Sequence, residues 1–393
     1  MMLVNHYVDI SAMSFNHFGE ELCGDNVIIN HLDNNVDLVV LADGLGSGVQ
    51  ASILSILTST LLSKMFSNNI SIEECVSTIA QTLPYIKEKK ASYCTFTIIK
   101  ITDGKYVEIY NYDNPQPFLV AHHEAKPIEY KEEIIENKRL YIARFEIKLN
   151  DAIVALSDGV TYAGTGDKFN FGFDLSHIMS FMGKMARPED SASSLNTFFM
   201  GYVKKLYNNQ FGDDASCVFI KIRPRQTINL MVGPPTNPSD DDRIAALFMS
   251  KPGLHIVCGG TTSKIIAHYL DKPVIPLLQY EDKNIPPIST IEGVDLVTEG
   301  IVTLNKVLKN AQSFLNDNNA EYFNWFYHKD GASLISKYLL DTATEINIYA
   351  GCAINEAHQK GTASLNHAFK MHVVDELSQD LKKMNKCVRV TYY

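Results

Sequence analysis

The stretch Val36-Asp37-Leu38-Val39-Val40-Leu41-Ala42-Asp43-Gly44-Leu45-Gly46-Ser47-Gly48 decides how this chain is read. Asp37 to Ala42 is an apolar, strand-length run that ends on a carboxylate and alternating glycines. Val49 to Phe66 follows, with Ile53, Leu54, Leu57, Leu61, Leu62 and Met65 at helical spacing. Strand, glycine-rich loop and helix in that order suggest a dinucleotide loop. The glycines, however, run Gly44-x-Gly46-x-Gly48, and Asp43 stands where a pyrophosphate would approach. An anion beside an anion is unfavourable, so the loop is read as a carboxylate presented at a strand end.

Three further aspartates share that setting. Asp25 lies in Cys23-Gly24-Asp25-Asn26, ahead of a predicted strand over Val27 to Asn30. Asp158 lies in Leu156-Ser157-Asp158-Gly159-Val160, where the strand Ala152 to Ser157 ends, and Asp213 in Gly212-Asp213-Asp214, ahead of the strand Ser216 to Ile222. A carboxylate at a strand end projects into a cleft while its strand stays fixed, and an adjacent glycine lets a backbone carbonyl approach a ligand. Each Asp-Gly alone is a common turn. Gathered together, these carboxylates repel one another unless a cation neutralises them, and oxygen-only donors suit Mg²⁺ or Mn²⁺ rather than zinc. The nucleophile loop of haloacid-dehalogenase-like phosphatases is excluded, because Leu156 occupies the nucleophile position and cannot form an aspartyl-phosphate.

Around these motifs the chain has 393 residues, 46% of them apolar and 20% charged, which is a globular composition long enough for two domains. The formal charge of −10, without a basic run, argues against nucleic acid or an anionic membrane as a partner. Val36 to Ala42 and Ile53 to Leu62 fall short of the ~18 apolar residues of a membrane span. Asn5, His6 and Asp9 interrupt any signal-peptide core, so a soluble, cytoplasmic protein is expected. Seven cysteines without a Cys-x-x-Cys pair read as reduced thiols.

Strand-like runs over Tyr93 to Ile101, Val107 to Tyr112 and Pro117 to Ala121, with helices over Ile72 to Leu83 and Ser191 to Tyr207, make the first region strand-rich with helices outside it. Composition changes near Arg223-Pro224-Arg225, which sets domains at 1–225 and 226–393. Beyond it helices and strands alternate, the pattern of a mainly parallel α/β domain. Two of its strands run into Gly259-Gly260-Thr261-Thr262-Ser263 and Thr298-Glu299-Gly300, each opening a helix. Gly259, Gly260, Thr261, Thr262, Glu299 and Gly300 are therefore candidates for holding a small anionic ligand, against a plain turn with Thr261, Thr262 or Ser263 as N-cap. Ser239-Asp240-Asp241-Asp242 reads as a helix start rather than a metal site.

Gly24-Asp25-Asn26, the strand and loop through Gly48, Ser92-Tyr93-Cys94-Thr95-Phe96, Asp113-Asn114-Pro115-Gln116-Pro117-Phe118, Leu156-Ser157-Asp158-Gly159-Val160 and Gly212-Asp213-Asp214-Ala215-Ser216 occur in one order. In that order, over residues 5 to 222, the chain resembles the metal-dependent Ser/Thr protein phosphatases of the SpoIIE type. The resemblance implies an α+β fold, a β-sandwich flanked by helices with a two-metal centre between the sheets. It also implies that Asp43 bridges two Mn²⁺ or Mg²⁺ ions and that the Gly44 carbonyl helps hold one. Asp25 would bind directly or through water, and Asp158 and Asp213 would hold the other ion, with Asp214 the second choice. Asn150-Asp151 replaces a common Gly-Asp, Ala215-Ser216-Cys217 stands where many relatives have Met-Thr-Val, and no arginine precedes the Asp25 motif. Substrate phosphate would then depend chiefly on the metals.

The implied reaction is hydrolysis of phosphoserine or phosphothreonine in a regulatory phosphoprotein, with an anti-sigma-factor antagonist as the leading substrate class. Water activated between the ions, its pKa lowered towards ~7, would need no protein nucleophile. His6, His17 and His31 are weighed as general acids and none is assigned. The alternative is a signalling or scaffold protein whose phosphatase-like domain turns over little.

Overall fold

Described residues are 6–33, 35–82, 94–277, 287–316, 322–353 and 363–393 of a computed structural model. Ser92 and Tyr93 of the quoted motif, and Leu83 of the second expected helix, lie outside them. The chain divides into two units, Met1–Pro224 and Arg225–Tyr393.

The first unit begins with β1 (His6–Phe15), β2 (Asp25–Leu32), β3 (Val36–Asp43), α1 (Gly48–Ser67), α2 (Ile72–Thr82), β4 (Thr95–Thr102), β5 (Tyr106–Tyr112) and β6 (Phe118–Ala121). It continues with β7 (Glu124–Pro127), β8 (Lys131–Ile135), β9 (Lys138–Glu146), β10 (Ala152–Leu156), α3 (Asp158–Thr161), α4 (Leu175–Met185), α5 (Ala192–Leu206) and β11 (Ala215–Pro224). Two antiparallel sheets result, in the orders β1-β11-β10-β6-β7 and β2-β3-β4-β5-β9-β8.

Period-2 alternation sorts each strand between two cores. Val39, Leu41, Ile99 and Ile109 of one sheet meet Ile153, Ala155, Val218 and Ile220 of the other. The opposite faces, Leu38, Val40 and Ala42 on β3 and Val154, Leu156 and Phe219 on β10 and β11, pack under α1–α2 and under α4–α5 respectively. The result is the expected β-sandwich flanked by helices.

At the edge of this sandwich the Arg223 guanidinium donates to Asp9 Oδ2 at 2.8 Å, both side chains buried, and the Ala192 N–H at the start of α5 donates to the same oxygen at 2.9 Å. Removing one partner leaves a buried charge uncompensated. Asp9→Ala is expected to destabilise the protein by about 3–5 kcal/mol, read as a lower midpoint in urea with an unchanged slope.

α1 departs from its expected face. Its buried residues include Ser55, Thr58, Ser59 and Ser63 beside Leu54 and Leu62, while Val49, Ile53, Ile56 and Leu57 are exposed. The reason lies in β2, where the Asn26 and Asn30 amides donate to Ser59 Oγ at 2.7 Å and Ser63 Oγ at 2.6 Å. The inner face is bonded rather than greased, so the leucine spacing does not mark it. With 20 residues and hydropathy 1.3, α1 is by length and composition apolar enough to cross a membrane, although the separate apolar runs read from the sequence are shorter; half of its window is buried in the domain.

The second unit contains β12 (Thr227–Val232), α6 (Asp241–Met249), β13 (Leu254–Cys258), α7 (Gly260–Leu270), β14 (Ile275–Pro276), β15 (Ser289–Thr290), β16 (Leu296–Thr298) and α8 (Ile301–Asn316). After these come α9 (Tyr322–Phe326), α10 (Gly331–Ser336) continued by a π-helical turn, β17 (Glu345–Ala350), α11 (Ala363–Lys383) and β18 (Cys387–Tyr392). The sheet order is β14-β15-β16-β13-β12-β17-β18, parallel from β16 through β18 and antiparallel at the β14–β15 edge.

Candidate metal centre

The register of β2 on β3 makes Asp25 and Asp43 direct cross-strand partners. Val27 and Ile29 of β2, and Val39 and Leu41 of β3, face the other sheet, so two-residue alternation turns both carboxylates the same way. β10 ends at Leu156 opposite Cys217 of β11, which brings Ser157-Asp158 and Asp213-Asp214 to the same end of the sandwich. Like charges facing each other across a ladder are destabilising unless something neutralises them.

Backbone packing at this end is tight enough to require glycine. A Cβ on Gly44 would lie 2.2 Å from the Ala51 carbonyl oxygen, and one on Gly159 would lie 2.1 Å from that of Asp214. The Gly44 N–H donates to the Gly24 carbonyl at 3.1 Å, tying the Asp43 loop to the Asp25 loop. Tyr207 donates its phenol to the Gly159 carbonyl at 2.6 Å. At the neighbouring strand ends Thr95 and Thr97 donate to the side-chain carbonyls of Asn114 and Asn111, so the Asp113-Asn114-Pro115 motif holds β4 against β5.

Electrostatically the four carboxylates form one crowded set. Burial pushes Asp43 well above the ordinary carboxylate range, and the charges of Asp25, Asp158 and Asp213 add to the shift. Burial raises Asp25 as well; the Ser157 and Ser216 hydroxyls oppose that shift, while Asp214 and Asp158 reinforce it. Asp158 and Asp213 are both raised, again by burial first. The two members of Asp213-Asp214 part company. Asp214 is buried, and its Oδ1 accepts the His17 N–H at 3.0 Å, whereas Asp213 is half-buried and lies among the charges that face Asp43.

Among the described residues no three His, Cys, Asp or Glu side chains already stand as a metal-holding group. The donor chemistry nonetheless suits a hard divalent cation. Both oxygens of Asp25, and Oδ2 of Asp214, are buried without a hydrogen-bond partner. A buried carboxylate whose neighbouring Ser157 and Ser216 hydroxyls do not meet it in hydrogen-bond geometry is costly to ionise, and an oxygen-coordinated Mg²⁺ or Mn²⁺ is the kind of group that removes the cost.

The histidines separate clearly. His31 pairs with Asp37 at the far end of the β2–β3 ladder, roughly 20 Å along the strand from Asp25 by strand rise. His6 opens β1 opposite Pro224, whereas His17 sits at the carboxylate end, its Nδ1 buried without a partner. No spacing in the sequence marks His17 as a neighbour of Asp214, or Ser157 and Ser216 as neighbours of Asp25; only the pairing of distant strands brings them there.

In the second unit the two glycine-bearing loops meet, because β13 and β16 are adjacent. Gly259 donates its N–H to the Thr298 carbonyl at 2.9 Å, and a Cβ on Gly259 would lie 3.9 Å from the Gly300 Cα. The N-cap of α7 is Gly259 itself, at φ +125°, not Thr261, Thr262 or Ser263. The Glu299 carboxylate stands beside Gly260, 3.5 Å from where its Cβ would be, which puts a negative charge on that side of the helix start. Asp240 precedes α6 without capping it through its side chain and pairs with Arg243 instead.

Comparison with known families matches residues 34–223 to the model described as Stage II sporulation protein E (SpoIIE). The match ends before the second unit. Comparison with curated proteins yields no match. Among solved structures the chain is similar to the phosphatase domain of the cell fate determinant SpoIIE from Bacillus subtilis, at 17% identity over 56% of this chain and 94% of that one, with a TM-score of 0.44. It is also similar to the RsbU and RsbW domains of a Mycobacterium tuberculosis protein, at 15% identity over 61% and 68% of the two chains and a TM-score of 0.48. RsbX in complex with magnesium is 18% identical over 55% of this chain and 99% of that one, with a TM-score of 0.40.

Proposed function

We propose, with the SpoIIE match over residues 34–223 as the premise, that the first unit hydrolyses phosphoserine or phosphothreonine in a regulatory protein and depends on divalent metal. The observation that carries this reading is the gathering of Asp25, Asp43, Asp158 and Asp213 at one end of the sandwich, each carboxyl raised and the Asp25 oxygens unpartnered. Asp25, Asp43, the Gly44 carbonyl, Asp158 and Asp213 would hold two Mn²⁺ or Mg²⁺ ions. Bound there, such ions supply charge neutralisation for phosphoryl oxygens and acidify water.

The chain itself supplies placement. The β2–β3 register fixes Asp25 against Asp43, and the His17 N–H holds Asp214 inward so that Asp213 is left towards Asp43. The Tyr207 phenol steadies the Gly159 turn behind Asp158. Phe18, Leu22, Leu45, Val49 and Tyr162 are exposed on the segments that flank these carboxylates. Apolar side chains left in water on the segments beside a cluster of carboxylates favour a protein surface over a small metabolite as the phosphate carrier. Within the family resemblance, an anti-sigma-factor antagonist is the leading candidate.

Hydrolysis of a phenyl phosphate and of a phosphoserine peptide, measured with Mn²⁺, with Mg²⁺ and with EDTA, tests the reading. Turnover is expected to fall to the buffer blank in EDTA and to return with added metal. Turnover indifferent to EDTA would rule out metal dependence, and none with either ion would favour the scaffold alternative.

A further inference from the structure

The second unit carries an open cavity of about 840 Å³ at the carboxyl end of its parallel strands. Its position follows from the order of the sheet. The chain starts at β12, adds β13 and β16 on one side, then returns to place β17 and β18 on the other. Successive connections therefore diverge between β12 and β17, and in open parallel sheets this divergence is where ligands bind. Pro234 and Pro235 from the loop after β12, and Cys352 from the loop after β17, line the cavity. The two loops are built to pass closely, since a Cβ on Gly351 would lie 2.1 Å from the Pro234 carbonyl oxygen.

The walls differ in chemistry. Pro234, Pro235 and Pro238, with Ile265, give a stiff apolar surface suited to the flat face of a ring. Asp241 and Asp242, at the start of α6, line the cavity and supply carboxylate acceptors. Facing them on α7 are Thr261, Lys264 and His268. The N-cap Gly259 offers no side chain to the first-turn N–H groups of α7, and Glu299 lies beside Gly260, which directs an anion towards Thr261 and Lys264. One lysine against two aspartates cannot balance a polyphosphate. It does suit a single phosphate carried on a hydroxylated, ring-bearing body, and the volume lies within the range of small-ligand sites.

We propose that this cavity binds a nucleoside monophosphate, its phosphate at Thr261 and Lys264, its ribose hydroxyls donating to Asp241 and Asp242, and its base on the prolines. The site shares only Thr261 with the ligand candidates expected from the sequence, takes in Asp241 and Asp242, which the sequence presents as a helix start, and does not depend on the phosphatase reading.

Titration calorimetry of the full chain in EDTA, with AMP, GMP, CMP and UMP, and with inorganic phosphate and the corresponding nucleosides as separate arms, tests it. At least one monophosphate is expected to bind with a Kd below about 0.1 mM, its nucleoside and free phosphate about ten-fold or more weaker. Lys264→Glu should weaken the monophosphate about ten-fold and leave the nucleoside unchanged, whereas Asp242→Ala should weaken both. Lys264 and Asp242 are exposed on their helices, so both variants are expected to fold. The proposal falls if none of the four saturates below about 1 mM, if free phosphate or the nucleoside binds as tightly as the monophosphate, or if Lys264→Glu leaves the monophosphate Kd unchanged.

Discussion

Asp43→Asn should lower metal-dependent hydrolysis by about a thousand-fold or more and, in the same protein, raise the stability of the metal-free form above neutral pH. The first effect follows from position. Asp43 is the last residue of β3, cross-strand from Asp25 and within reach of the charges of Asp158 and Asp213, so on the proposed reading it is the carboxylate that would serve both halves of the centre. The second follows from linkage. Burial and its three neighbours raise the Asp43 carboxyl, so the folded state holds this proton more tightly than the unfolded chain does. A carboxyl shifted upward makes stability fall as pH rises from the unfolded value of about 4 towards the raised folded value. Metal-free wild type should therefore melt lower at pH 8 than at pH 5.5, with a smaller drop in Asp43→Asn, and added Mn²⁺ should recover more of the loss in wild type than in the variant. Calorimetric scans in EDTA and in Mn²⁺ at both pH values measure this. A wild type that gains stability between those pH values in EDTA would contradict the electrostatic crowding, whatever the activity data show.

Much of this centre is legible before folding. An apolar run closed by Asp-Gly fixes where a strand stops, and alternation fixes which way its last side chain turns, so Asp43 and Asp158 can be placed from local pattern. Asp25 needs one step more, the pairing of β2 with β3. What spacing hides are the parts made by distant segments or by polar packing. Ser59 and Ser63 face inward on α1 because Asn26 and Asn30 of β2 bond them, and a hydrophobic-periodicity reading assigns the buried face to leucines alone. β7 and β8 form the edges of their sheets, where polar side chains such as Lys131, Glu132 and Glu133 are exposed or part-buried and leave only Ile134 and Ile135 of β8 as an apolar mark, too short to read as a strand. β1 pairs with β11 across two hundred residues of sequence or more. The tie between His17 and Asp214 comes from that same pairing, so the two aspartates of Asp213-Asp214 look equivalent in the sequence.

That tie separates the two in the last prediction. Asp213→Asn removes a charge that faces Asp43 and Asp158 but keeps an oxygen able to accept the Asp214 N–H, as Asp213 Oδ1 does at 2.9 Å, so activity should fall by about a hundred-fold or more with the melting temperature unchanged or raised. Asp214→Asn acts on a buried residue whose Oδ1 accepts the His17 N–H and whose Oδ2 lies next to Gly24, 2.6 Å from where a Cβ would be. An amide there must keep its oxygen on the His17 N–H, which turns its NH₂ towards the packed Gly24 side. The expected cost is about 1–3 kcal/mol of stability, with a smaller loss of activity that Mn²⁺ concentration partly restores. Metal titration calorimetry on both variants supplies the independent readout. Asp213→Asn should weaken Mn²⁺ binding strongly, whereas Asp214→Asn should weaken it only as far as the loop is loosened. Equal losses of affinity in the two variants would remove the ground for choosing Asp213, and a larger loss at Asp214 would reverse the choice, making the buried, unpartnered Oδ2 the ligand and Asp213 the bystander.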